Sequence, residues 1–361
     1  MAARSGAATA PAILGARATP RAASETKPPP VFGKGLQVTL EDGFGRRFRY
    51  VRLSVTEACN FRCSYCLPQG YRKSGPQDFL SVAEISRLAR ALVKAGIGKL
   101  RLTGGEPSVR RDLAEIIAVG AAAGAGKIAL TTNGWSLRRD LAYWRAAGLT
   151  HLNVSVDSFE PRVFERLTGH DKLADILAGV EQALAGDLAS VKLNAVLLRS
   201  TTGEGFERAA AYLRDRPLAL RYIELMRTGD NAAYFAAEHL PGSALTNWLA
   251  ARGWRPLPRG GDDGPALEYS HPDFAGRFGL IAPYAPGFCD SCNRLRVTAR
   301  GVLRLCLFGE GGVDLRDLLQ SDGDQAQLLE RLAASLGAKA AGHRLREGVS
   351  GDARHLAQMG G

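Results

Sequence analysis

From Tyr50 onward, short β-branched or apolar runs alternate with longer stretches of helical period. That alternation restricts the chain to βα units built around a parallel sheet. Candidate strands are residues 50–55, 99–103, 127–131, 151–156, 191–196 and 218–224. Between the first two, Ser81 and Glu84 have the spacing of a capping box, Ile85, Leu88, Ala89 and Leu92 share one helical face, and Gly96 is a stop signal. Six strands with intervening helices suit a partial (βα) barrel or an open doubly wound sheet, which periodicity does not separate. Both place chemistry at the carboxyl ends of the strands, where residues 57–66, Gly104-Gly105-Glu106-Pro107 and Thr132-Asn133-Gly134 fall. Beyond about Asp230 the pattern weakens, and residues 255–272 are rich in Gly, Pro and charge. The expected organisation is therefore a leader over residues 1–35, a barrel over 36–254 and a smaller C-terminal domain over 255–361.

With 361 residues, 45% of them hydrophobic, the chain can bury a large core. No apolar run approaches the roughly 18 to 20 residues of a membrane span, so no membrane partner is expected. The net charge of +11 suits an anionic partner, whether nucleic acid, membrane surface or polyphosphate. The first thirty residues carry Arg4, Arg17, Arg21 and Lys27 against Glu25 and end in Pro28-Pro29-Pro30. They read as a disordered leader in preference to an organelle transit peptide, and without the apolar segment of a secretory signal the expected location is cytoplasmic.

The six cysteines fall in two groups of three, Cys59, Cys63, Cys66 and Cys289, Cys292, Cys306. Odd groups are awkward for local disulfides, and metal or redox chemistry is the better reading. Three thiolates within eight residues can hold three irons of a [4Fe–4S] cluster and leave one iron open to a small molecule. A zinc knuckle is the alternative, but no His lies in or near this loop to complete it. The CxxxCxxC spacing, with aromatic Tyr65 just before the last Cys, resembles the hallmark of the radical S-adenosylmethionine superfamily. In that superfamily the open iron chelates the methionine moiety of the cofactor. The Thr103-Gly104-Gly105-Glu106-Pro107 turn resembles the segment that binds the cofactor's amino group; its glycines can take positive φ and let backbone approach a ligand.

The second group, a CxxC with a third Cys fourteen residues later, fits zinc or iron–sulfur equally well by itself. Together with Cys-Asn-Arg-Leu-Arg at 292–296, the pair of triplets resembles the GTP 3′,8-cyclase family, molybdenum cofactor biosynthesis protein A, from about Arg46 to the C-terminus. The resemblance implies a partial (βα)6 TIM-like barrel with a C-terminal iron–sulfur domain, two [4Fe–4S] clusters, S-adenosylmethionine as cofactor and GTP as substrate. It assigns Arg52, Arg101, Thr131, Lys192, Arg294 and Arg296 to GTP, and Tyr65, Gly105, Ser155 and Met226 to the cofactor. It also gives the terminal Gly360 and Gly361 a catalytic role, although Met359 and the absence of a proline in residues 339–343 depart from the family pattern.

Read singly, Ser155 is a strand end, Lys192 a surface charge and Met226 a core residue. Arg294 and Arg296 share one side of an extended segment, which without the cysteines would read as a solvated basic face and with them suits forked binding of a triphosphate. The implied reaction begins with one-electron cleavage of S-adenosylmethionine to a 5′-deoxyadenosyl radical, which takes hydrogen from C3′ of GTP; C3′ then attacks C8 of guanine. An external electron donor and a downstream cyclic pyranopterin monophosphate synthase are the expected partners, with a homodimer possible and no nucleic acid. The rivals are a radical peptide maturase, which usually has more cysteines, and a zinc-stabilised nucleic-acid binder, which leaves GGEP and TTNG unexplained.

Overall fold

The computed structural model describes residues 39–73, 77–260 and 264–359, and side chains as far as Ala357. The expected leader and the terminal Gly360 and Gly361 lie outside the described residues. The six expected strands form within two residues of their expected bounds: β1 (Tyr50–Ser54), β2 (Lys99–Thr103), β3 (Lys127–Thr132), β4 (His151–Ser155), β5 (Ser190–Leu197) and β6 (Ala219–Glu224). They pair in parallel in chain order.

Helices α1 (Val82–Lys94), α2 (Leu113–Ala122), α3 (Leu137–Ala146), α4 (Pro161–Thr168), α5 (Leu173–Leu184) and α6 (Glu204–Leu213) make the crossovers. Both halves of the capping box at Ser81 and Glu84 are present, and α1 stops at Gly96 with φ +87°. Helices α7 (Ala232–Glu238) and α8 (Ser243–Ala250) follow β6.

The later chain supplies β7 (Arg255–Pro256), β8 (Leu267–Ser270), β9 (Arg277–Ile281), β10 (Arg294–Val297), β11 (Val302–Arg304), β12 (Val313–Asp314) and α9 (Gln325–Ser335). These strands extend both edges of the same sheet. β9 pairs in parallel with β6, β10 pairs in parallel with β1, and an antiparallel partner backs each. The order is β12-β11-β10-β1-β2-β3-β4-β5-β6-β9-β8-β7. Eight parallel strands therefore curve around one interior, two more than the helical crossovers announce.

Strand alternation sorts the side chains. Val51, Leu53, Leu100, Leu102, Ile128, Leu130, Leu152 and Val154 point outward, in one core with Ile85, Leu88, Leu92, Ile116, Leu141 and Ile176 of the helices. The intervening residues point inward and are largely polar. In register across β10, β1 and β2 stand Arg294, Tyr50 and Lys99, and one step further Arg296, Arg52 and Arg101.

Candidate active site

The first thiols sit in the loop after β1. Arg62 N and Ser64 N donate to the carbonyls of Thr168 and Leu167 at the end of α4, and Cys66 N and Leu67 N both donate to Cys63 O at 2.9 Å. Cys59, Cys63 and Cys66 thereby line one wall of a cavity at the carboxyl ends of the strands, with Tyr65, Gly105, Ser155 and Met226 around it. All four expected cofactor residues are thus brought together.

The glycines of the second turn line this cavity and also serve packing. Gly104 has φ +151°, and a Cβ on either Gly104 or Gly105 would run into the carbonyls of residues 56–58. Gly105 N and Glu106 N donate to Thr56 O and Ala58 O at 2.9 and 2.7 Å. The turn is glycine so that it can lie against the cysteine loop. Glu106, almost wholly buried, accepts from Thr132 Oγ1 (2.7 Å), Asn133 N (2.6 Å) and Ser108 N (2.9 Å). Tyr65 donates its phenol to Asp157 at 2.8 Å, and Asp157 also accepts from Val196 N.

Burial pushes the Cys59 thiol up to about 11 and Cys66 to about 12, and Cys63 is raised as well. Neighbouring acids add to the rise, Glu106 at Cys59 and Cys59 with Asp157 at Cys66. Phe61 N donates to Cys59 Sγ, and the backbones of Ala357 and Leu356 hydrogen-bond the Cys66 sulfur. Buried thiols that favour the neutral form, yet receive N–H donors, fit a cationic iron cage that would draw them to thiolate. Among the described residues no group of three His, Cys, Asp or Glu stands as a ligand set for a single metal ion.

The second cavity occupies the barrel interior. Cys289, Cys292 and Cys306 line one end with Phe288, Leu305 and Phe308. The loop that carries Cys289 is pinned by Arg46, buried beside Asp42 at 2.7 Å, which donates to the carbonyls of Cys289, Ala340 and Ala341. Burial raises Cys289, with Cys306 and Cys292 adding to it, while Arg294 and Lys339 outweigh burial at Cys292 and lower it. Three mutually facing thiols, one of them drawn toward thiolate, again fit an iron–sulfur cage.

The other end is cationic. Arg52, Lys99, Arg101, Lys127, Lys192, Arg221, Arg294, Arg296 and Lys339 line this cavity, and among the described residues no Asp or Glu does. Burial, compounded by neighbouring cations, lowers Arg296 to about 9, Lys99 to about 8 and His151 to about 4. At Tyr50 burial acts upward, but Arg101, Arg52, Lys99 and Arg294 outweigh it and bring the phenol down to about 7. Positive charge at this density without acids in the wall is the setting for a polyanion.

Five of the six expected nucleotide residues line this cavity. Thr131 faces the first cavity instead and accepts from Arg101 Nη1 at 2.9 Å, so it bridges the two. Lys192 is already paired with Glu268 at 2.9 Å. Asn194, Ile223 and Met226 line both cavities, which therefore meet inside the barrel. Sequence reading missed Tyr50, Lys99, Lys127, Arg221 and Lys339. The available signal was that the first four alternate with apolar residues along strands otherwise buried.

The tail approaches the first cavity. Residues 356 and 357 line it, and the chain leading there is fixed by Gly229 N to Ala353 O at 3.0 Å and by the Arg304–Asp352 ion pair.

Residues 53–213 match the Radical SAM superfamily, and residues 218–345 match Molybdenum Cofactor Synthesis C. A GTP 3′,8-cyclase of Stenotrophomonas maltophilia (strain R551-3) is 57% identical over 323 residues, covering 89% of this chain and 99% of that protein. The GTP 3′,8-cyclase of Aeromonas hydrophila is 50% identical over 339 residues, covering 92% and 99%. Among solved structures, Streptococcus suis SuiB bound to S-adenosylmethionine shares the fold, with a TM-score of 0.57 at 11% identity over 80% of this chain and 67% of that one. Identity at this level along nearly the whole chain goes well beyond a shared fold, and the chain belongs to the GTP 3′,8-cyclase family of the radical S-adenosylmethionine superfamily.

Proposed function

We propose that this chain converts GTP to 3′,8-cyclo-7,8-dihydro-GTP by radical S-adenosylmethionine chemistry, the first step of molybdenum cofactor biosynthesis. The observation that carries the reading is one barrel interior in which a thiol-lined cavity meets a second, cation-walled cavity with its own three thiols. Cys59, Cys63 and Cys66 would hold one [4Fe–4S] cluster, and Cys289, Cys292 and Cys306 the other. When bound, the first cluster and S-adenosylmethionine supply a carbon radical able to take hydrogen from a ribose.

The protein's own part is binding, orientation and exclusion of water. Tyr65, Gly105, Ser155 and Met226 cradle the cofactor under the first triplet. Arg52, Arg101, Lys192, Arg294 and Arg296 hold the triphosphate, with Arg101 keeping Thr131 aligned between the cavities. The aromatic and apolar end beside Cys289 suits the purine, so the ribose lies toward the junction at Met226. Leu356 and Ala357 line the first cavity, and Gly360 and Gly361, which follow within four residues in the sequence, are proposed to act in catalysis. Balance at the purine requires one electron and one proton after C3′ joins C8, and an external electron donor supplies the reducing equivalents.

A cyclic pyranopterin monophosphate synthase would consume the product, the enzyme would work in the cytoplasm, and two copies could pair as a homodimer. No described helix is long and apolar enough to cross a membrane.

The test is anaerobic reconstitution, then reaction with dithionite, S-adenosylmethionine and GTP followed by mass spectrometry. The reading expects about eight irons per chain, as two four-iron clusters supply, together with 5′-deoxyadenosine and the cyclised nucleotide. Zinc in place of iron would overturn it, and two clusters with no GTP product would leave the radical chemistry with another substrate.

A further inference from the structure

The opposite end of the barrel holds a third cavity. Arg47, Arg49, Tyr50, Lys94, Gly98, Lys99, Lys127 and Asn293 are among its walls, and among the described residues no Asp or Glu is. Every strand residue in this group lies at or just before the start of its strand, so the cavity is the N-terminal mouth. The first thiol cavity is built from residues at the strand ends instead. Tyr50, Lys99, Lys127 and Gly264 line both this mouth and the cation-walled interior, so the two adjoin across these residues. Arg49, Lys94, Gly98 and Lys127 are exposed, which opens the mouth to solvent. At the other end, the cysteine loop and Leu356 and Ala357 stand over the first cavity.

We propose that this N-terminal mouth is the port of the enzyme for a nucleoside triphosphate: an outer polyphosphate-binding site through which the nucleotide reaches the interior and the cyclised product leaves. The inference rests on the GTP reading above. Three arguments carry it. The inner arginines on β1, β2 and β10 lie near the mouth, so a nucleotide held there has its triphosphate directed outward along the cationic wall. A bottom port lets the nucleotide bind with the cofactor already in place and with Leu356 and Ala357 seated at the first cavity. Finally, a funnel of one sign of charge raises the encounter rate of an opposite charge. Arg47 has Glu41 beside it at 2.9 Å, but among the described residues Arg49, Lys94, Lys99 and Lys127 form no ion pair with an acid and keep the mouth positive.

Two variants test charge and space separately. The double variant Arg49→Glu, Lys94→Glu reverses the exposed charges and leaves the inner arginines intact. Gly98→Trp narrows the mouth; nothing lies within 4 Å of a Cβ at Gly98, and its φ is not in the left-handed region. Association of 2-aminopurine riboside triphosphate, fluorescent in its base, with the reconstituted holoenzyme is followed by anaerobic stopped flow, with GTP displacement confirming a shared site.

At about 0.01 M salt the double variant should associate about tenfold more slowly than wild type. The gap should close near 1 M salt, where the screening length is about 3 Å. Gly98→Trp should slow association and release together at both salts, leaving the equilibrium constant nearly unchanged. S-adenosylmethionine affinity should not move in either. Wild-type rates in both variants would overturn the port while leaving the GTP reading in place. Failure of wild-type holoenzyme to bind the triphosphate would overturn that reading and the port with it.

Discussion

At the scale of single residues, Tyr50 is a buried phenol held among cations. Its phenol faces Arg52 on its own strand, Lys99 and Arg101 on β2 and Arg294 on β10, with Lys99 Nζ 5.0 Å from the ring centre. The phenol titrates near 7 because these cations outweigh burial. A bound triphosphate would neutralise the cations and raise it, so binding takes up a proton once the pH exceeds about 7. GTP affinity should therefore fall as pH rises from 7 to 8.5, and Tyr50→Phe should flatten that dependence; an unchanged slope in calorimetric titration would refute it. Arg296→Ala removes one charge-assisted contact of about 1.5 to 3 kcal/mol. It should raise the KM for GTP roughly ten- to hundredfold while iron content stays at the wild-type level.

The thiols were legible in the sequence because each triplet is local. Lys99, Lys127 and Arg221 were not, since they are separated by whole helices and come to one interior only through strand register, whereas Arg52, Arg101, Lys192, Arg294 and Arg296 were reached through the family resemblance.

At the scale of elements, α1 joins the early and late parts of the chain. Glu84 caps it through Ser81 and also pairs with Arg316 at 2.8 Å and accepts from Gln320 at 2.9 Å. Burial pushes its carboxyl up, but Arg316, Ser81 and Gln320 outweigh that and hold it at about 2, below the ordinary 4.5. A depressed carboxyl contributes stability that is fully present above pH 4.5 and is lost as the pH falls toward 2. Glu84→Ala should cost about 3 kcal/mol at pH 7, as the loss of a cap and a largely buried pair. The deficit should shrink on acidification, and denaturant midpoints at pH 7 and pH 3 check it.

The sequence patterns for α1 and for β1 to β6 were clear because helical crossovers separate long apolar runs. β9 and β10 escaped because the first is a short run between turns and the second carries arginine at alternate positions, which in isolation describes a solvated face. Only pairing with β6 and β1 turns them into walls of the site.

At the scale of the whole molecule, β10 and the residues after it bring the C-terminal thiols and the tail back to the barrel. Leu356 packs with Leu307, Phe308 and Leu345 and contributes to the wall beside Cys66. Leu356→Asp puts a charge into that apolar contact and should abolish turnover while both clusters remain, read as unchanged iron content with lost product. Local pattern could not place the tail, because its position depends on Arg304, Asp352 and Gly229, which are scattered along 124 residues of chain, 229 to 352.

The central claim is that the two cavities form one reaction chamber in which hydrogen passes directly from the nucleotide ribose to the cofactor fragment. The most direct measurement is reaction of the reconstituted enzyme with GTP deuterated at C3′, followed by mass spectrometry of the 5′-deoxyadenosine. The account predicts 5′-deoxyadenosine carrying the deuterium; unlabelled 5′-deoxyadenosine formed alongside the cyclised nucleotide would contradict it.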